Sequence, residues 1–165
     1  MTTIVAAIDF SNASERVLEA AADLARSTGG RLVLVTVIAE PVFLKGYAPL
    51  PKSVARISVE HAREIKRRLA VFQERLEAES IPVEVVTPRG DAALHIVKEA
   101  EKRGADCIVI GAHGHSALFE LVLGSTTQRV LKRARQPVLV IPSKWRRTAH
   151  AKLRSSGRKT GRNGL

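Results

Sequence analysis

Residues 3–39, TIVAAIDFSNASERVLEAAADLARSTGGRLVLVTVIA, decide the fold. The stretch opens with a short apolar run, residues 3–9, that ends in Asp9, and it closes with residues 31–39, which are apolar at successive positions without alternation. A strand that is apolar on both faces is buried on both, as in a parallel sheet covered by helices on each side. Between the two runs, Leu18, Ala21, Leu24 and Ala25 share one helical face. Asn12 and Glu15 have capping-box spacing, and Thr28 to Gly30 offers the left-handed positions that end a helix. The stretch therefore predicts a strand, a helix and a second strand, the unit from which parallel sheets are wound.

Outward from this unit the same alternation continues. Residues 39–52 hold Pro41, Gly46, Pro49 and Pro51 and predict a loop. Between about residues 53 and 80, Ile57, Ile65, Leu69, Phe72 and Leu76 form a helical stripe, with Glu64 and Arg68 at the favourable i,i+4 spacing. IPVEVVTPRG, residues 81–90, predicts a third strand, and Asp91 is placed to cap a helix running to Gly104. CIVIGA from Cys107 predicts a fourth strand, residues 125–135 a fourth helix and PVLVIP, residues 137–142, a fifth strand. Strict β-α alternation specifies an α/β fold: one doubly wound, five-stranded parallel sheet with helices on both faces, Rossmann-like. The 165 residues suit one domain.

The net charge of +11 is uneven. Eight of the 27 basic residues, and no acidic one, lie from Lys144 onward, so residues 1–143 carry 19 basic against 16 acidic residues, a balance of +3. We read residues 1–143 as the folded domain and 144–165 as a basic, flexible tail whose Gly, Ser, Lys and Arg content cannot build a core. Such a tail predicts at most weak, salt-sensitive contact with nucleic acid or an anionic surface. The longest apolar runs fall far short of the ~18 residues of a membrane-spanning helix. The N-terminus has no charged flank and no cleavage site, so it reads as a strand and the expected compartment is the cytoplasm. Cys107 heads an apolar run and reads as a strand thiol without a chemical role.

In an open parallel sheet, ligands bind beyond the carboxyl ends of the strands where the strand order reverses. Asp9, Val37 and Gly111 stand at three such ends. After Gly111 come Gly114 and Gly124, and then Ser125, Thr126 and Thr127 at a helix start. Glycine admits an anion close to backbone N–H groups, and a helix N-terminus offers unpaired N–H donors and partial positive charge. The same residues also suit a plain turn followed by a capping box from Ser125 to Gln128. His113 and His115 alone fall short of the three or four ligands of a zinc site. There is no GxxxxGK[ST] loop, no G-x-S-x-G elbow and no H-E-x-x-H, so no catalytic residue is assigned.

The spacing Gly-x2-Gly-x9-Gly-Ser over Gly111, Gly114, Gly124 and Ser125 resembles the nucleotide-binding signature of the universal stress protein family. AIDFS after the first strand, VTVI at the end of the second and PVLVIP at the end of the domain match that family in the same order. The resemblance implies an adenine nucleotide alpha hydrolase-like fold and membership of the ATP-binding subgroup, a nucleotide-dependent regulator or switch in stress response. It implies that Ala7 and Asp9 lie against the adenosine, that the Val37 backbone bonds the adenine edge, and that Gly111 approaches the ribose. Gly114, Gly124, Ser125, Thr126 and Thr127 would surround the phosphates, with Mg or Mn bridging phosphate oxygens and no protein ligand assigned to the metal; His113, beside them in the sequence, is read as a phosphate contact in place of a metal ligand. It also implies a homodimer through the edge strand 137–142. Slow ATP hydrolysis, or polyanion binding through the tail, is the alternative reading.

Overall fold

The computed structural model describes residues 1–39, 52–112 and 123–145. Among the described residues, five strands, β1 (Thr3–Ala7), β2 (Arg31–Val35), β3 (Val83–Val86), β4 (Cys107–Gly111) and β5 (Val138–Ile141), alternate with four helices, α1 (Ser14–Thr28), α2 (Lys52–Ala78), α3 (Ala92–Lys102) and α4 (Ser125–Arg133). The strands pair in parallel in the order β3-β2-β1-β4-β5. After β3 the chain crosses back to the other side of β1, so the order reverses between β1 and β4. This α/β architecture is the one expected from the alternation of strands and helices. The proline-bearing loop lies, apart from its two ends, outside the described residues.

The uniformly apolar strands are explained by two cores. Ile4, Ala6, Leu32 and Leu34 face α1 and α2, where they meet Val17, Leu18, Ala21, Leu69 and Leu76. Val5, Val33, Val35, Ile108 and Ile110 face α3 and α4 and meet Ala93, Ile96, Val97, Ala100 and Val130. Ile57 belongs to neither and is 63% exposed, against its expected place in the α2 stripe. At 27 residues α2 is about 40 Å long, whereas a five-residue strand spans about 16 Å, so only part of the helix can lie on the sheet.

Local details refine the sequence reading. Gly29 ends α1 at φ 60°, and a Cβ on Gly30 would stand 2.6 Å from the Thr2 carbonyl oxygen, so the two glycines are needed for different reasons. Asp91 caps α3 by accepting from the Leu94 N–H at 2.9 Å. The box between Asn12 and Glu15 does not form, because α1 begins one residue later, with Ala13 at its N-cap and no side-chain cap. Glu64 pairs with Arg67 at 2.8 Å, while Arg68 lies over the Phe10 ring at 4.1 Å. β5 is an edge strand, and its Leu139 is 41% exposed. Trp145, assigned to the tail by composition, packs partly buried against the α1 and α2 core. Residues 146–165 lie outside the described residues. Cys107 is half-buried at the start of β4, and burial pushes its thiol up.

Candidate nucleotide site

At the reversal point a cleft of about 280 Å³ opens beyond the ends of β1, β2 and β4. That is close to the lower end of small-molecule sites, about 300–1,000 Å³. Eight of the sequence-predicted site residues line it: Ala7, Asp9, Val37, Gly111, Gly124, Ser125, Thr126 and Thr127. His113 and Gly114 lie outside the described residues.

One wall is the turn from β1 into α1. The Asp9 carboxylate accepts from the Ser11 N–H at 2.9 Å and from the Ser14 hydroxyl at 3.0 Å through the same oxygen, Oδ1. It thereby organises the turn into α1, a role open to a strand-end aspartate, while Asn12, which has the capping-box spacing, precedes the N-cap Ala13. Phe10 passes through this turn at φ 60°, a left-handed conformation that is strained for a bulky residue. Its ring is held against Phe72 at 5.8 Å between centroids, beneath Arg68. The strain is offset by packing far along the chain, which no local pattern could announce.

The second wall follows β2. Thr36 donates its N–H to the Val86 carbonyl and its hydroxyl to the Ile8 carbonyl at 2.8 Å, and Ile38 donates to the Pro88 carbonyl. Successive residues of a parallel strand direct their backbone groups to opposite sides. With Thr36 and Ile38 turned toward the β3 side, the Val37 N–H and C=O turn toward the β1 side, where the chain has already left the sheet and the cleft begins. A backbone contact from Val37, which its side chain could not reveal, is therefore sterically open.

The third wall is the end of β4 and the start of α4. The Gly124 N–H donates to the Ala112 carbonyl at 2.8 Å, which brings the helix start back to the strand it left. Gly124 is the N-cap and supplies no side-chain cap. The Ser125 to Gln128 capping box is absent; Gln128 Nε2 donates to the Leu123 carbonyl instead, at 2.7 Å. The first-turn N–H groups, which a helix cannot satisfy internally, stand at the cleft with the positive end of the helix dipole. Thr127 is buried and its hydroxyl donates to the Gly111 carbonyl at 2.7 Å, so that hydroxyl ties α4 to β4 and leaves the backbone N–H as its donor toward the cleft.

Sequence reading missed the floor. Ala13, Val17, Val35, Ile96 and Ile110 close the cleft from below, and Ser14 and Ala92 add to its sides. Ala13 with Val17 and Ala92 with Ile96 are i,i+4 pairs indistinguishable by sequence from other core positions. Ala92 follows Asp91, whose carboxyl is held below its usual range by the Leu94 N–H and then by Arg129, 2.6 Å away. Among the described residues no three His, Cys, Asp or Glu side chains gather to hold a metal, and Asp9 is the one charged residue that lines the cleft.

The fold and cleft define a doubly wound α/β domain with a cleft of small-molecule size at its topological switch point. Residues 1–142 match the universal stress protein family, and the chain belongs to that family. It is 32% identical over 148 residues to universal stress protein MJ0577 of Methanocaldococcus jannaschii, covering 82% of this chain and 91% of the relative. It is 36% identical over 140 residues to universal stress protein A homolog 1 of Coxiella burnetii, covering 84% and 94%. The solved structure of MJ0577 matches with a TM-score of 0.70 at 28% identity, over 90% of this chain and 98% of that one. A universal stress protein from Archaeoglobus fulgidus, solved in complex with dAMP, matches with a TM-score of 0.60 at 26% identity, over 86% and 97%. Among the described residues no helix is long and apolar enough to cross a membrane.

Proposed function

We propose that this chain binds ATP in the cleft between β1 and β4 and acts as a nucleotide-dependent regulator in stress response, in the cytoplasm. The observation that carries the reading is the uncapped start of α4, with Gly111 and Gly124 beside it, facing Asp9 and Val37 across one cleft. Each wall offers what one part of the nucleotide needs: a backbone edge for the base at Val37, a carboxylate for the sugar at Asp9, and helix N–H groups for the phosphates at Ser125, Thr126 and Thr127. The dAMP complex of the Archaeoglobus fulgidus relative supports the choice of an adenine ligand. Magnesium or manganese would travel with the phosphates, which supply its oxygen ligands, and would offset negative charge in a cleft whose one charged described residue is itself an acid.

We further propose that two copies pair along β5, whose exposed Leu139 and outer edge, without a partner strand among the described residues, would otherwise favour uncontrolled association. Titration calorimetry with ATP and magnesium chloride tests the ligand: one site per chain is expected, and no heat together with no shift in melting temperature at millimolar nucleotide overturns the reading. Phosphate release from pure protein above the buffer rate would turn it toward a slow ATPase.

A further inference from the structure

On the reading that the cleft takes an adenine nucleotide, we infer that Arg129 is the side chain that meets the outermost phosphate, and that Asp91 holds it beside the cleft until the ligand arrives. The glycine-rich stretch carries no lysine or arginine: residues 105–128 contain neither, and none is among the described residues that line the cleft. Arg129 is the first basic residue after it, one helical turn beyond Ser125 and on the same face of α4. Long helical side chains lean toward the helix N-terminus, which here means toward Ser125 and the cleft.

The guanidinium is caught at the lip. Arg129 Nη2 lies 2.6 Å from Asp91 Oδ2, and the next residue, Ala92, lines the cleft. The two side chains are 44% and 38% exposed, and ion pairs so exposed hold weakly. Asp91 also loses little when Arg129 leaves. Its other oxygen stays on the Leu94 N–H, and the charge of Arg133, a further turn along α4, still favours the carboxylate through space. A phosphate dianion is a stronger partner for a guanidinium than one carboxylate oxygen is, and exchange between them requires only rotation of a long side chain.

A plain strap between α3 and α4 would use the same bond, and the two roles differ in sign. Titration calorimetry with ATP and with adenosine, in magnesium chloride, on the full chain and on Arg129→Gln, Asp91→Asn and the double variant separates them. Asparagine keeps the α3 cap. Arg129→Gln should weaken ATP about tenfold, the loss of one charge-assisted bond, and leave adenosine within about twofold. Asp91→Asn should strengthen ATP, and that gain should vanish in the double variant. If both single variants weaken ATP and adenosine alike, or if the gain persists without Arg129, the inference is wrong. Should Arg129→Gln fail to fold, Arg129→Lys keeps the charge without the fork and should lower the ATP-to-adenosine ratio part of the way; an unchanged ratio overturns the inference. A wild-type chain that takes neither ligand removes the nucleotide reading and this inference together, whereas binding with an unchanged ratio in Arg129→Gln removes this inference alone.

Discussion

Replacing Ser125 with glutamate should stabilise the protein and weaken its ligand at once. Ser125 is exposed in the first turn of α4, a helix with no side-chain cap and no acidic residue in that turn. A carboxylate there meets the positive end of the dipole and contributes about 0.3–1 kcal/mol. In a domain of this length that raises the melting temperature by about 1–4 °C. The same carboxylate would stand where the phosphates are proposed to lie. One unit charge about 5 Å from another costs about 1 kcal/mol in water and about 3 kcal/mol at an effective dielectric of 20. Affinity for ATP should fall by between about fivefold and more than a hundredfold. Melting curves without nucleotide and calorimetry with ATP and magnesium read the two effects separately. A raised melting temperature with unchanged affinity would show that the α4 start is not the phosphate cradle. A lowered melting temperature would show that the uncapped helix start had been misjudged.

Other outcomes follow from single bonds. Thr36→Val removes the hydroxyl that ties β2 to the Ile8 carbonyl, and should cost about 1–2 kcal/mol, or about 2–8 °C, in thermal melts; an unshifted curve would mean that the bond contributes nothing. The Asp91 carboxyl is held low by the Leu94 N–H and by Arg129, so its stabilisation is complete above the unfolded value of about 3.9 and is lost as pH falls through the lower folded value. Asp91→Asn should therefore flatten the acid limb of the melting profile below about pH 4, and an unaltered limb would count against the pairing. On β5, Pro137 and Ile141 turn their carbonyls to β4, so Val138 and Val140 turn their backbone outward. Val140→Pro should leave the sheet intact and halve the mass seen by light scattering; a folded dimer would exclude β5 as the interface.

The positions of the strands and helices were legible because burial on both sheet faces erases alternation, while surface helices keep a stripe. Where the sequence pattern misled, a competing contact or a one-residue shift of a helix start had decided the matter. Arg68 was assigned to Glu64 by spacing, but the Phe10 ring drew it away. Asn12 had the better cap spacing, yet Asp9, arriving from the strand end, organised the turn. Ser125 and Gln128 spelled a capping box, and the helix began one residue too early for it, which left its N–H groups exposed to the cleft.

By itself the sequence determined the α/β class, the strand ends and the residue types at the candidate site, since these depend on local periodicity and on glycine and hydroxyl chemistry within a few residues. The tertiary structure alone decided the strand order β3-β2-β1-β4-β5, and with it the crevice that sets Asp9, Val37 and Gly111 around a single volume. It also decided the apolar floor and the pairing of Arg129 with Asp91, 38 positions apart in the chain. The physical reason is common to all three: side-chain pattern records which face is buried, and only the packing of distant segments determines what that face is buried against.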